Sequence, residues 1–332
     1  MKKAIALLLA LIMVLALCVS AAADDVEYPK LKIQFAHINA IDQPIGVAVD
    51  KFAKLMNERS GGNITVDVYP AGSLYDQEGI YDAIELGNLD MGIGDVSGIG
   101  NRVPAFSLYA LPFLYDSYET MAKIVDGEVG AALDAQLEEQ MGAIALGWGW
   151  NGFRNMVTND PITCIDDCKN YLLRSPGIDL YLETFKLLGM SPVIIPWGDA
   201  FTGMQSGVCD GVETTTEAIY TQGFYTVGNN VCLSRHMLSI IGPMMNKDLW
   251  DSLDENTQKL IKDTWMEVRA EWNETVENSE DYYVQLLRDE GCNITVFEDY
   301  DKVVELFTPF WKEHAEAGGY TELLDMAIAC MG

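Results

Sequence analysis

Arg174 closes a short apolar run, Tyr171-Leu172-Leu173, and Ser175-Pro176-Gly177 follows at once. A proline biases the residue before it away from the helical region, so the run reads as a strand that stops abruptly with Arg174 at its lip. Ile178 to Leu188 carries apolar side chains at helical spacing as far as Gly189, and two more apolar runs follow, Val193 to Trp197 and Val208 to Val212. Strand, helix, strand is the pattern of a parallel βαβ unit in an α/β fold. Open α/β sheets bind ligands beyond the carboxyl ends of their strands. Arg174, Trp197, Thr214 and Thr215 all fall near such ends, a combination suited to a small anion. A planar guanidinium makes two parallel hydrogen bonds to a carboxylate or sulfonate, fixing orientation as well as charge. The ordinary alternative for Arg174 is a surface ion pair with Asp179 or Glu183.

Other candidates stand at element ends. Leu31 to Ala36 reads as a first strand ending at His37, and Ile64 to Tyr69 as a second, stopped by Pro70. Gln77 lies in the loop before a helix over Glu78 to Leu86. Asp95 ends a strand over Leu89 to Ile93, where it could meet a ligand's ammonium or hydroxyl group; the commoner reading of both is an exposed loop side chain. Hydrolase chemistry lacks its inventory: there is no G-x-S-x-G and no H-E-x-x-H, and the only histidines are His37, His236 and His314. His236, before an apolar crossing segment at Met237 to Pro243, reads as structural. Gly147 to Gly152 matches G-x-G-x-x-G, but a dinucleotide site needs a helix after the glycines. Here Phe153 to Thr158 reads as extended and Pro161 soon follows, so that site is excluded.

The whole chain bounds these readings. It has 332 residues, 49% of them hydrophobic, enough for two globular domains. Residues 1–23 read as a signal peptide: Lys2 and Lys3, an apolar core to Leu17, and Ala21-Ala22-Ala23 as a cleavage site before Asp24. Cys18 offers a lipoprotein alternative, disfavoured by the bulky Leu17 before it. Loss of Lys2 and Lys3 leaves 19 of the 21 basic residues against 50 acidic ones, about −31 in all. That charge excludes nucleic acid as a partner and opposes anionic lipid. It does not exclude an anionic ligand, because exposed charges are screened beyond roughly 8–10 Å while a desolvated arginine acts at contact. Six cysteines remain after cleavage, an even count that favours disulfides in an oxidising compartment, with Cys164–Cys168 suggested by proximity. With no C-x-x-C or histidine cluster beside them, neither a metal nor a cofactor is expected. Asn256 to Glu290 repeats apolar residues every three to four positions over roughly 50 Å, longer than a small domain is wide. One helix there packs against both lobes and ties them together. Asn230 to Ser234 adds another strand.

In order, these segments resemble the DctP-like solute receptors of tripartite ATP-independent periplasmic (TRAP) transporters. The markers are Val68-Tyr69-Pro70-Ala71-Gly72-Ser73-Leu74, Leu86 to Met91, Leu111-Pro112-Phe113-Leu114, Gly152-Phe153-Arg154, Leu173-Arg174-Ser175-Pro176-Gly177, Met204 to Glu213, Phe224-Tyr225 and Ser234 to His236. The resemblance implies a two-lobed periplasmic-binding-protein-like α/β fold with crossing hinge strands and a long lobe-spanning helix. Lobe I would comprise 24–151 and 239–275, and lobe II 152–238 and 276–332. It implies a periplasmic, monomeric, non-enzymatic receptor that closes on a small organic anion and serves small and large TRAP membrane subunits. The family's carboxylate-binding arginine falls on Arg174, its second pocket arginine on Arg154, and its aromatic walls on Trp197 and Trp150. The same pattern puts Gln77 and His37 near the cleft. Thr214 stands where the family often has asparagine, which shortens the polar reach. A receptor feeding an ATP-driven importer or a sensor kinase would use the same pocket physics, and only the family markers discriminate.

Overall fold

Ten strands assemble into one mixed sheet in the computed structural model, which describes residues 27–331. They are β1 (Leu31–Ala36), β2 (Ile64–Tyr69), β3 (Met91–Asp95), β4 (Ala143–Ala145), β5 (Gly149–Thr158), β6 (Leu172–Ser175), β7 (Ser191–Ile194), β8 (Gly211–Thr215), β9 (Asn230–Asn246) and β10 (Asn293–Thr295). The spatial order is β2-β1-β3-β9-β5-β8-β6-β7, with β4 and β10 also on β9. Helices fill the connections: α1 (Pro44–Arg59), α2 (Gln77–Glu85), α3 (Val96–Ile99), α4 (Tyr118–Val125), α5 (Glu128–Met141), α6 (Asp179–Leu187), α7 (Ala200–Gln205) and α8 (Thr216–Thr221). After β9 come α9 (Lys247–Ser252), α10 (Glu255–Glu277), α11 (Glu280–Asp289), α12 (Tyr300–Gly318) and α13 (Thr321–Ala329). The signal peptide, its site after Ala23 and Cys18 lie outside the described residues.

Parallel pairing of β1 with β2 and β3 builds one lobe, and parallel pairing of β6 with β7 and β8 builds the other. Parallel strands need helical crossovers, which cover both faces and bury both rows of side chains. Between the lobes run β5 and β9, antiparallel to each other, with register breaks between Trp150 and Gly152 and between Arg154 and Met156. The segments expected at Asn230 to Ser234 and Met237 to Pro243 are therefore one strand of 17 residues. Arg235 sits at its irregular point with φ of 44°. Two hydrogen bonds of 2.7 Å to Glu280 and the face of Phe153, 3.6 Å from the guanidinium carbon, hold it there. A bulge of this kind bends a strand without ending it.

The single helix expected from Asn256 to Glu290 is two helices, α10 and α11. Between them the Asn278 amide donates to the Glu274 carbonyl and the Ser279 hydroxyl to the Val276 carbonyl. Side chains that bond the local backbone in this way compete with helical continuation. α10 packs on α1 and β5, and α11 on α8 and β10, so the broken helix still reaches both lobes. Gly149 allows the close approach of α10: a Cβ there would stand 2.5 Å from the Trp272 ring. The terminal helices α12 and α13, read from sequence as part of lobe II, pack against α5 and the turn at Pro104–Ala110 in the first lobe. Trp311 Nε1 anchors them by donating to the Pro112 carbonyl at 2.7 Å.

The described cysteines are free thiols, which overturns the expected disulfides and the Cys164–Cys168 bridge. The short turn Ile165–Cys168 carries Cys168 into the core and leaves Cys164 at its edge, with the Cys168 sulfur 3.7 Å from the Cys164 carbonyl. No described helix is long and apolar enough to cross a membrane.

Candidate functional site

The carboxyl ends of the parallel strands in both lobes face one cleft of about 550 Å³. That volume is within the range of small-molecule pockets. Arg174 lies within β6, third of its four residues, because Ser175 still pairs with Ile194 before Pro176 breaks the ladder. It is 2% exposed. Its Nε donates to the Ile195 carbonyl at 2.8 Å, and its guanidinium carbon sits 5.5 Å from the Trp197 ring centre. Neither Asp179 nor Glu183 pairs with it. Among the described residues its two terminal nitrogens have no acceptor. Burial holds its pKa down to about 10, against the pull of Glu213. It is a desolvated cation without a counter-ion among the described residues.

Arg154, on the crossing strand β5, is the opposite case. Its Nε donates to Glu213 Oε2 at 2.5 Å and its Nη2 to Oε1 at 2.8 Å, a forked pair with both partners buried. Burial alone would raise the Glu213 carboxyl, but the charge and hydrogen bonds of Arg154, with His236, hold it down at about 2. His236 completes the group, its Nε2 3.4 Å from Glu213 and its Nδ1 2.8 Å from the Ser234 hydroxyl. Burial keeps the imidazole pKa low, so His236 is neutral and structural. Arg154 lines the cleft with its charge already matched.

Trp197, Thr214, Asp95 and Gln77 also line the cleft. Trp197 opens a short turn after β7 and packs at a tilt of 51° against Phe224, with one face toward Arg174. Gln77 is the first residue of α2, not a loop residue, because Asp76 caps the helix through the Gly79 amide; its Nε2 reaches the Ile93 carbonyl at 3.1 Å. Asp95 ends β3 and caps α3, accepting from the Ser97 amide at 2.8 Å. Burial raises its pKa, opposed by the charge of Arg154.

Two expected residues are not in the cleft. Trp150 is 1% exposed, its Nε1 donating to Glu277 at 2.7 Å and its ring packed on Tyr118, because the break after it turns the side chain toward α10. His37 is also buried, with no hydrogen-bond partner for either ring nitrogen among the described residues, and burial lowers its pKa to about 4. Its neighbours Ile38 and Asn39 line the cleft in its place.

The lobes touch across the cleft. The Gln43 amide donates to Glu217 at 3.2 Å, and the Ser97 hydroxyl bonds the Tyr181 hydroxyl at 3.2 Å. Asn101 clasps the loop after β6 with both ends of its amide, donating to the Gly177 carbonyl at 3.0 Å and accepting from the Asp179 amide at 3.2 Å. This is a closed arrangement. Glu213, Tyr181, Gln43 and Asn101 were not legible as site residues, since each acts through a partner more than fifty positions away.

Residues 35–317 match the family model for bacterial extracellular solute-binding protein, family 7. The chain is 32% identical over 256 residues to the C4-dicarboxylate-binding protein DctB of Bacillus subtilis, covering 76% of this chain and 72% of that one. Its fold matches the sugar acid binding protein DctPAm from Advenella mimigardefordensis, solved with galactonate, with a TM-score of 0.86 and 25% identity over 92% of this chain and 98% of that one. It also matches a TRAP periplasmic solute binding protein from Desulfovibrio salexigens, solved with orotic acid, with a TM-score of 0.84 and 25% identity over 90% and 98%. With the family model spanning most of the sequence and a two-lobed fold enclosing a buried arginine, the chain belongs to the DctP family, the family 7 solute-binding proteins of TRAP transport.

Proposed function

We propose that the protein is an extracytoplasmic receptor that captures a small organic acid between its lobes and delivers it to a TRAP-type transporter. The observation that carries this reading is Arg174, a cation buried in the cleft with its terminal nitrogens unpaired. A carboxylate or sulfonate would accept both and would be held in one orientation. The names of the relatives support an organic acid: a C4-dicarboxylate, galactonate and orotic acid. Trp197 offers a stacking face beside that anchor, which accommodates a flat acid. Arg154 acts differently: paired to Glu213, it shapes the wall and adds hydrogen-bonding edges more than net charge. The protein binds and releases without catalysis. Cleavage after Ala23 would release it as a periplasmic monomer that docks on one small and one large integral membrane subunit.

The test is a thermal-shift screen of dicarboxylates, keto and hydroxy acids, aromatic acids and sulfonates, followed by calorimetry on Arg174→Ala. The expected result is stabilisation by one class of acid and its loss in the variant with the fold intact. Stabilisation by cations or neutral sugars alone, or unchanged affinity in the variant, refutes the proposal.

A further inference from the structure

The polar groups that line the cleft are unequal in sign, and the imbalance bears on which acids fit. Arg154 and Arg174 stand against Asp76, Glu78, Asp95 and Asp199. Arg154 is neutralised by Glu213, and Glu78 is held by Arg102 at 2.8 Å. Asp76 caps α2. One unpaired cation is left for the ligand, with an acid surplus around it.

Asp95 is the acid that matters most. It ends β3 in the first lobe, whereas Arg174 stands on β6 in the second, so the two approach a bound molecule from different lobes. Asp95 Oδ1 accepts from the Ser97 amide, and Oδ2 has no donor among the described residues. The neighbouring amides offer little to an anion. Gln77 spends its Nε2 on the Ile93 carbonyl, which leaves its oxygen as the free end. Gln43 donates to Glu217 and accepts from the Ala40 amide. On the first-lobe side Asp95 Oδ2 and the Gln77 oxygen are thus free acceptors beside the Asn39 amide, and a buried acceptor left without a donor costs binding.

We propose that the cleft selects an acid with a single carboxylate whose far end carries hydrogen-bond donors, hydroxyl or ammonium, and discriminates against acids with a second carboxylate there. The inference rests on Arg174 as the anchor for the first carboxylate. The ligand's charged end pairs with Arg174, and its donor end satisfies Asp95 Oδ2 and the Gln77 oxygen. A diacid would instead bring a second negative charge to Asp95 inside a desolvated space, where like charges repel strongly. The chain would then differ in preference from its relative named for C4-dicarboxylates.

The test uses acids matched in carbon count that differ at one end: threonate against tartrate, galactonate against galactarate, and 4-aminobutyrate against succinate. Calorimetry on the wild-type protein should show the member of the binding pair with one carboxylate held at least about tenfold more tightly. Asp95→Asn keeps a capping side chain on α3 and removes the charge, so it should improve the diacid and narrow that ratio about tenfold. A diacid bound as tightly as its partner, or a ratio indifferent to Asp95→Asn, overturns the inference while leaving the receptor reading in place. No binding by any of the six acids likewise overturns the inference, whereas binding that does not depend on Arg174 defeats the anchor on which it rests.

Discussion

Replacing Arg174 by methionine should close the empty cleft as well as disable it. In the closed arrangement Arg174 is 2% exposed and has no counter-ion among the described residues. Burial holds its pKa down to about 10 from the ordinary 12.5. For a base, a lowered value means that the charged form is disfavoured in the closed site. At neutral pH the group stays charged, so the closed empty protein carries that cost. At 1.36 kcal/mol for each tenfold in acidity, the cost is about 3 kcal/mol. The sign is definite: the penalty is fully present below pH 10 and disappears only as pH rises from there toward 12.5. Opening the lobes rehydrates the guanidinium and removes the penalty, and an incoming carboxylate removes it by pairing. Arg174 therefore works as a wedge when the site is empty and as an anchor when it is filled. Methionine keeps the bulk without the charge, and should move the empty protein toward the closed form by on the order of a hundredfold. Small-angle scattering reads this directly. The empty wild-type protein should contract when a bound acid is added, while the empty variant should already be contracted and should not respond. An empty variant as extended as the empty wild type would refute the reasoning, as would a variant that still contracts on adding the acid.

Glu213→Gln should lower stability by about 3–5 kcal/mol, because it leaves Arg154 charged and unpaired in the core; a melting temperature within a degree or two of wild type would show the pair to be dispensable. The same carboxyl is held down at about 2, so its contribution is present above its ordinary value near 4.5 and is lost as pH falls from there toward 2; wild-type melting temperature should drop across that window and the glutamine variant should change less. Asn101→Ala removes two hydrogen bonds that hold the lobes together and should weaken acid binding by roughly 1 kcal/mol, through faster release and not slower capture; an unchanged dissociation rate would count against the clasp. Unfolded under non-reducing conditions, the protein should titrate a free thiol at each of Cys164, Cys168, Cys209, Cys232, Cys292 and Cys330, and a shortfall of two would restore a bridge.

Local punctuation made part of this architecture legible. Glycine and proline bracketed β2, between Gly61-Gly62 and Pro70, and Pro176 marked where β6 must stop, directly after Ser175. Failures came wherever a distant partner decides the outcome. Asn278 and Ser279 break a helix through side-chain bonds to their own backbone, with no glycine or proline to announce it. Trp150 and His37 sit at positions where the strand points toward the cleft, yet a register break and close packing turn both side chains inward. The contacts of α12 and α13 are equally remote in sequence: Trp311 reaches Pro112, about two hundred positions away, and His314 lies 3.8 Å from Glu183.

The two arginines show the same divide most sharply, and they explain why a receptor for an anion can be so acidic. Sequence places both near the cleft but cannot rank their charges, because the ranking depends on Glu213 lying across from Met156 in the neighbouring strand. Once that register is formed, Glu213 is within reach of Arg154 and not of Arg174, and one of the two positive charges is spent. Had both remained free, the empty closed cleft would carry two desolvated cations and resist closure around any singly charged acid. With one neutralised in place, a single carboxylate suffices to balance the site. The acids at its edge then refuse what a second free arginine would have welcomed.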